Sequence, residues 1–596
     1  MCGIVGYAGW RDAQPILLDC LKRLEYRGYD SAGLAVVGDQ LQLFKSKGEI
    51  AVLEAEMPVM KGVVGIAHTR WATQGKPTTE NAHPLADCSN RLAVAHNGII
   101  SNFMDVREEL QKSGHNFTSD TDTEVFAHLV ESEFKDDLVK AVRKALEKVD
   151  GTYTFAVVCA GCDQVVATRR ESPLVVGLGE GENFIASDVT ALLKYTNRMI
   201  YIHDDEIVSI TNNSVRIIDG QGNEVQREPQ KITWSLEDAE KGGYPHFMLK
   251  EIFEQPDAIH DSLLGRIESV EPEPFLQGGH FSSVKIVACG TSYHAGLVGK
   301  YIIEELARIP TTVQISSEYR YSSVSKENPL VVLITQSGET ADTLGAAREA
   351  KKRGNKTLAI ANVVGSAITR EVDRTIYTRA GPEIGVAATK TFVTQLVALY
   401  LLAMELGIEN RSLTAQARRS MIGILRNLPR SVQDVLNQAS EIEALANKYA
   451  SARDMFFIGR SINYPTALEG ALKTKEISYI HGEGFPAGEL KHGPLALISK
   501  DSPVVAVAVR DHTYEKMLGN ISEVSARGSP VIAIGFEGDT ELPRYVDDAI
   551  WIREIPPVFS PVPVIVVLQL WAYYLAKARG CPIDKPRNIA KTVTVE

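Results

Sequence analysis

The chain has 596 residues, 44% hydrophobic and 23% charged, with 46 glycines and 26 prolines, the profile of a globular protein too long for a single hydrophobic core. A net charge of −12, from 63 basic and 75 acidic residues with no Lys/Arg tract, argues against a nucleic-acid partner. The longest apolar runs carry polar breaks, which argues against a membrane span.

The chain opens MCGIVGYAGW. No basic head or long apolar stretch of a signal peptide accompanies Cys2, so a cytoplasmic chain is expected whose Cys2 becomes the first residue once Met1 is removed. Seven scattered cysteines without a pairing pattern read as reduced thiols. Cys159-Ala160-Gly161-Cys162 lacks a second ligand pair and reads as structural rather than as a zinc or redox motif. Up to about residue 236 the text is strand-rich, with runs at 34–37, 63–67, 92–95 and 153–158 and helical patterns at 13–25 and 121–148. An α+β layered domain is predicted over 2–236.

Residues 237–260 are polar and partly helical, a linker with an entry helix. From about 281 the rhythm becomes strand–turn–helix. Residues 283–289 run into Gly290-Thr291-Ser292, and 330–335 run into Gln336-Ser337-Gly338-Glu339-Thr340. This alternation predicts a parallel sheet covered by helices on both faces. The pattern then recurs, because 454–477 echoes 285–306, 503–509 echoes 329–335 and 530–536 echoes 356–362. Two α/β doubly wound domains are therefore expected, at 261–425 and 445–585, followed by a tail at 586–596. The second copy carries Arg510-Asp511-His512 where the first has its hydroxyl-rich turn, so the first is expected to hold the ligand head group.

In open α/β sheets, ligands sit where strand C-termini meet helix N-termini, and free N–H groups there favour an anion. Neither hydroxyl-rich turn is a P-loop or a G-x-G-x-x-G, so a small-molecule monophosphate fits better than ATP or a dinucleotide. Simple N-capping by Ser or Thr is the alternative. An N-terminal cysteine has its own base, since the α-amine titrates near about 7.7–8.0 and the thiol near about 8.5. Arg70, in the HTRWAT stretch 68–73, offers a guanidinium for a carboxylate. His96-Asn97-Gly98 offers a side-chain amide and a backbone N–H for an oxyanion. The SDTDTE stretch 119–124 offers a carboxylate for an ammonium group, with a capping box through Thr121 and Glu124 as the alternative. Together these describe a site for an amino acid with a scissile side-chain amide.

CGIVGY (2–7), LEYRGYDSAG (24–33), HTRWAT, HNGI (96–99) and SDTDTE resemble glutamine amidotransferases with an N-terminal nucleophile. CGTS (289–292), QSGETADT (336–343), ALEGALKTKEISYIHGEGFPAGELKHGPLAL (467–497) and AKTVTVE (590–596) resemble the paired sugar-isomerase (SIS) domains of the glucosamine-6-phosphate synthase family. The resemblance implies a four-layer αββα N-terminal-nucleophile hydrolase domain followed by two αβα-sandwich SIS domains. It implies glutamine-dependent conversion of fructose 6-phosphate to glucosamine 6-phosphate, the first step of amino-sugar biosynthesis. By similarity Cys2 attacks the glutamine amide and Asn97 and Gly98 hold the oxyanion. Arg70, Trp71, Thr73 and Asp122 bind glutamine, and Trp71 also gates an ammonia channel. Thr291, Ser292, Thr335, Gln336, Ser337, Thr340 and Lys473 bind the sugar phosphate. Lys591 forms a Schiff base, Glu476 moves a proton between C1 and C2, and His492, from a neighbouring subunit, assists ring opening. A homodimer is implied, and neither a cofactor nor a metal.

Without the resemblance, Glu469, Lys473 and Glu476 at i, i+4 and i+7 read as an exposed ion-pair ladder, Trp71 as core and Lys591 as a solvated tail charge. Three positions depart from the family pattern: Gln74 replaces a histidine, Thr335 a serine, and Ala388 a serine. Ala388 leaves open a glutamine-dependent aminotransferase or deglycase acting on another phosphosugar. A phosphosugar-binding regulator is the rival of a different class, disfavoured by the joint presence of Glu476, His492 and Lys591.

Overall fold

In the early strands, successive side chains face opposite ways, and the period of two sorts them into separate cores. Ile4 packs inward between two sheets, while its neighbour Val5 faces a helix layer. The computed structural model describes residues 2–72, 74–232, 240–267, 281–323 and 328–593. It divides into two units: Met1–Glu240 with Glu339–Ala341 and Ala590–Glu596, and Lys241–Gly338 with Asp342–Ile589.

The first unit holds an eight-stranded and a seven-stranded sheet. Gly3–Ala8 lies between Val64–Arg70 and Asn183–Ala186, antiparallel to both. In the other sheet Leu92–Ile100 pairs antiparallel with Gly151–Cys159. The inner faces meet through Ile4, Ala35 and Ile66 from one sheet and Ala93, Ala95 and Ala156 from the other. The helix Ala13–Lys22 covers the first sheet through Leu17 and Leu21. Thr123–Glu133 and Leu138–Leu146 cover the second through Phe126, Val130 and Val142. This is the expected αββα stack. The helical pattern at 121–148 resolves into two helices, because Asp137 starts a new one by accepting the Lys140 N–H at 3.0 Å.

Cys159 and Cys162, expected as reduced thiols, form a disulfide. The turn closed by the Cys162 N–H on the Cys159 carbonyl at 3.1 Å brings their Cα atoms to 5.4 Å, within bridging range.

The second unit contains two five-stranded sheets whose neighbours are all parallel. One runs Thr311–Ile315, Val284–Ala288, Leu330–Thr335, Thr357–Ala361, Arg374–Tyr377 across its width. The other runs His481–Pro486, Asp454–Gly459, Val504–Val507, Val531–Phe536, Asp548–Ile552, the same 2-1-3-4-5 order and thus the structural form of the sequence repeat. The two copies share one continuous core. Lys390–Glu409 and Pro561–Ala578 contribute to it, as do Met248, Ile252 and Ile259 from the stretch expected as linker and entry helix. Those two long helices are apolar enough to cross a membrane, but 89% and 94% of their apolar windows are buried inside the protein, which makes them core helices.

Candidate active sites

In the first unit, the strands Gly3–Ala8, Val64–Arg70 and Leu92–Ile100 bring Cys2, Arg70 and Asn97 together. The Trp71 N–H donates to Cys2 Sγ at 3.2 Å. Burial pushes the Cys2 thiol up, against partial compensation from the amino-terminal charge, the Trp71 N–H and Arg70. A thiol held protonated in this way needs a local base, which an N-terminal α-amine supplies. Asn97 Nδ2 donates one hydrogen to the Cys2 carbonyl at 2.9 Å, and its second hydrogen is the one an oxyanion can take.

His68, which the sequence reading did not single out, holds the other end of that amide. Its Nε2 lies 3.1 Å from Asn97 Oδ1 and 2.9 Å from the His96 carbonyl, both acceptors, so Nε2 carries the hydrogen. Gly98 follows at φ +130°, where an added Cβ would come within 2.0 Å of the Thr152 carbonyl oxygen, so only glycine fits beside Asn97.

Arg70 is 3% exposed, and its guanidinium donates to the carbonyls of Gln74, Gly75 and Lys76. Position 74 therefore serves Arg70 through its backbone, which explains how Gln74 can stand where the family pattern has histidine. Burial lowers the Arg70 pKa, while Cys2, Asp122 and Asp30 favour its charge. Asp30, within the LEYRGYDSAG motif, accepts the Ala72 N–H at 2.9 Å and donates its own N–H to the Arg70 carbonyl at 3.0 Å, pinning the loop that carries Trp71. Trp71 is half-buried and meets Tyr29 edge-on at 5.5 Å. Thr73 lies outside the described residues.

Asp122 is buried and, rather than capping the helix that follows, accepts the Ile100 N–H at 2.8 Å. The capping box of the alternative reading does not form: the Glu124 carboxylate accepts the Thr118 and Ser119 N–H groups, each at 2.7 Å, and the Thr121 N–H donates to Ser119 Oγ at 3.3 Å instead.

His68, His83 and His96 are all buried here, and burial holds each below its ordinary pKa, His68 at about 3. Unfolded histidines bind a proton below about pH 6.5. The stability from keeping these rings neutral is therefore complete above that pH and is lost as pH falls toward 3. Each ring is expected to contribute about 1.4 kcal/mol of slope per pH unit. The midpoint of thermal unfolding should fall progressively as pH drops from about 7.5 to 5; a flat profile would contradict this.

In the second unit, the helix Gly290–Leu306 begins at the first hydroxyl-rich turn. Ser292 Oγ accepts from Gln395 Nε2 at 3.0 Å, so the hydroxyl is held from the helix Lys390–Glu409. Thr335 Oγ1 accepts the Gly338 N–H at 3.2 Å, so the hydroxyl at this position fixes the turn. Gly338 at φ +70° would place a Cβ 2.0 Å from Ser366 Oγ. Gln336 and Ser337 are half-buried on this turn, and Thr340 is half-buried just before the helix Ala341–Lys352. Ala388 is half-buried beside Thr389, whose N–H the Glu383 carboxylate accepts at 2.9 Å.

The ladder at 469–476 is not an exposed one. Glu469 is 0% and Lys473 1% exposed, on the helix Asn463–Ser478. Lys473 Nζ lies 2.5 Å from Glu476 and 3.5 Å from Glu469. Burial disfavours the Lys473 charge, but the two carboxylates outweigh it and raise its pKa. Glu469 also accepts from Thr291 Oγ1 at 2.9 Å and lies 2.7 Å from His294 Nδ1. It thereby ties the hydroxyl turn of the first copy to the ionic helix of the second. His294, Gln395 and this role of Glu469 escaped the sequence reading; the i, i+4, i+7 charge spacing was the available signal.

His492 is exposed at the end of the turn Ala487–His492. Within the second unit, Asp584, just before the tail, accepts the Phe247 and Met248 N–H groups at 2.9 and 3.0 Å, and Arg587, at the start of the tail, lies 4.2 Å above the Tyr479 ring. Lys591 is half-buried in the last segment, which belongs to the first unit.

Comparison with known proteins identifies the domains that carry these residues. The glutamine amidotransferase domain family matches residues 54–224, and the SIS domain family matches 282–405 and 448–578. Glutamine–fructose-6-phosphate aminotransferase (isomerizing) of Methanosarcina acetivorans is 50% identical over 618 aligned positions, and that of Thermus thermophilus 50% over 604, each alignment spanning the whole of both chains. Among solved structures, the C-terminal domain of glucosamine-fructose-6-phosphate aminotransferase from Francisella tularensis superposes with a TM-score of 0.56 at 40% identity, covering 58% of this chain and 100% of that one. The chain belongs to the glutamine–fructose-6-phosphate aminotransferase (isomerizing) family, with its amidotransferase part in the first unit and its paired SIS domains in the second.

Proposed function

We propose how the residues divide the work of this family's reaction, the glutamine-dependent conversion of fructose 6-phosphate to glucosamine 6-phosphate. Cys2 Sγ attacks the glutamine amide carbon, its proton passing to the α-amine freed by removal of Met1. Asn97 Nδ2 and Gly98 stabilise the oxyanion. Arg70 and Asp122 hold the α-carboxylate and α-ammonium of glutamine, with Thr73 as a further contact. The protonated amine returns its proton to the departing nitrogen, ammonia leaves, and water cleaves the thioester to glutamate. Trp71 gates the internal passage of ammonia. The observation that carries this reading is Asn97, held by His68 at one end and by the Cys2 carbonyl at the other.

At the sugar site, Thr291, Ser292, Thr335, Gln336, Ser337 and Thr340 hold the phosphate, with Lys473 nearby. Lys591 forms a Schiff base with the open-chain ketose. After amination at C2, Glu476 takes the C1 proton and returns it at C2, giving the 2-amino aldose. Because His492 is exposed within its own chain, it supports delivery to a second copy's site and hence a homodimer. The domain limits are 2–236, 261–425 and 445–585, with the tail at 586–596, and the location is cytoplasmic.

The test is incubation with glutamine, with and without fructose 6-phosphate, quantifying glutamate and amino sugar separately. Matched yields, with glutamate release stimulated by the sugar, support coupled sites. Glutamate without amino sugar overturns the sugar-site reading and returns attention to Ala388. Lys591→Arg keeps the charge but forms no Schiff base; it is expected to lower amino-sugar formation by on the order of 10²-fold or more while retaining glutaminase activity. Trapping with borohydride should link fructose 6-phosphate to the parent and not to the variant.

A further inference from the structure

Four side chains on the first unit, none of them in either site above, converge on one point. Cys88 comes from the turn that precedes the strand Leu92–Ile100, and His115 from the loop after the helix Phe103–Lys112. His128 and Glu131, three residues apart, lie one turn from each other on the helix Thr123–Glu133. Cys88 Sγ lies 3.7 Å from His115 Nδ1 and 3.5 Å from His128 Nδ1. Glu131 Oε2 lies 3.0 Å from His115 Nδ1 and 3.1 Å from His128 Nδ1. All four donor atoms fall within 4.8 Å of one another.

These distances, 3.0 to 3.7 Å, bracket the edges of a coordination polyhedron. A tetrahedron with a Zn–S bond of about 2.3 Å and Zn–N and Zn–O bonds of about 2.0 Å has edges of about 3.3–3.6 Å. A thiolate, two imidazoles and a carboxylate are also the donor types zinc takes. Further contacts orient the ligands. Glu124 Oε1 lies 3.7 Å from the other ring nitrogen of His128, the Phe117 ring meets that imidazole edge-on at 4.6 Å, and the Asn116 N–H donates to Cys88 Sγ at 3.4 Å.

We propose that Cys88, His115, His128 and Glu131 form a structural zinc site, closed by four protein ligands. Binding displaces the Cys88 thiol proton to solvent. The ion ties the helix that begins beside Asp122 to the turn that leads into the strand bearing Asn97, bracing both walls of the glutaminase site from outside it. The histidine spacing in the sequence did not suggest a metal, because three of the four ligands come from separate segments.

The experiment uses the full chain in a Cys2→Ala background, so that the nucleophile cannot contribute a thiolate. The protein is freed of metal by a chelator, dialysed, and titrated with Co²⁺ alone. One equivalent per chain is expected, with the intense visible bands of tetrahedral cobalt and a near-ultraviolet thiolate band, both erased by one equivalent of Zn²⁺. Cys88→Ser, at an exposed position, is expected to remove the thiolate band, and His128→Ala to weaken binding by on the order of 100-fold. Circular dichroism of both variants separates lost binding from lost folding. A weak octahedral spectrum without a thiolate band, or cobalt binding unchanged in folded Cys88→Ser, overturns the proposal.

Discussion

Cys2→Ala is expected to abolish amino-sugar formation from glutamine, by on the order of 10⁴–10⁶-fold, while formation from an ammonium salt continues. The separation follows from which atoms of Cys2 do what. Asn97 is anchored on the Cys2 carbonyl, not its side chain, so truncation leaves the oxyanion donor in place. The Trp71 N–H loses a sulfur acceptor at 3.2 Å, a cost of about 1–3 kcal/mol if it finds no other partner. The variant should therefore fold, bind glutamine and fail to cleave it. Glutamate release and amino-sugar yield, each measured with glutamine and with ammonium chloride, check the point. Retained glutaminase activity removes Cys2 from its role, and an equal loss with both nitrogen sources means the damage reached the sugar site.

The second large effect is expected at Glu476. Glu476→Gln should slow the sugar conversion by about 10²–10⁴-fold, the range for removing a general base, with glutaminase activity retained. The choice of variant matters because Lys473 is buried between two carboxylates. Lys473→Met would remove the cation that Glu476 and the buried Glu469 share and cost about 3–5 kcal/mol, so lost activity there would report unfolding. Glu476→Gln leaves Lys473 paired with Glu469 at 3.5 Å and keeps an oxygen acceptor near it. With fructose 6-phosphate deuterated at C1, the parent should carry deuterium to C2 of the amino sugar and the variant should not. An unchanged rate assigns the proton transfer elsewhere.

What could be read directly from the chain was whatever has a local period or a compact motif. Alternating apolar residues predicted the strands of both sheets in the first unit, because side chains of a strand alternate faces wherever it sits. The strand–turn–helix rhythm and its recurrence predicted the two doubly wound copies, since parallel strands require crossovers. Cys2, Arg70 and Asp122 were legible as candidates because each lies in a short motif at or beside the end of an element, and Asn97, inside the strand Leu92–Ile100, through its HNGI motif.

The tertiary structure decided what depends on segments distant in sequence. The carboxylate of Glu469 serves Thr291, 178 residues away, and so converts an apparent surface ladder into a buried junction between the copies. Loop carbonyls take some of the Arg70 guanidinium N–H groups and hold it in place, and His68 holds Asn97, because segments distant in sequence lie side by side. One core envelops both SIS copies, since the apolar helices Lys390–Glu409 and Pro561–Ala578 bury their surfaces in it together. Cys88 meets Glu131 across 43 residues through the packing of a turn against a helix, a contact with no periodic signature in the chain. Local periodicity reports the backbone's own geometry; convergence of side chains reports how finished elements pack, and only the folded chain contains that.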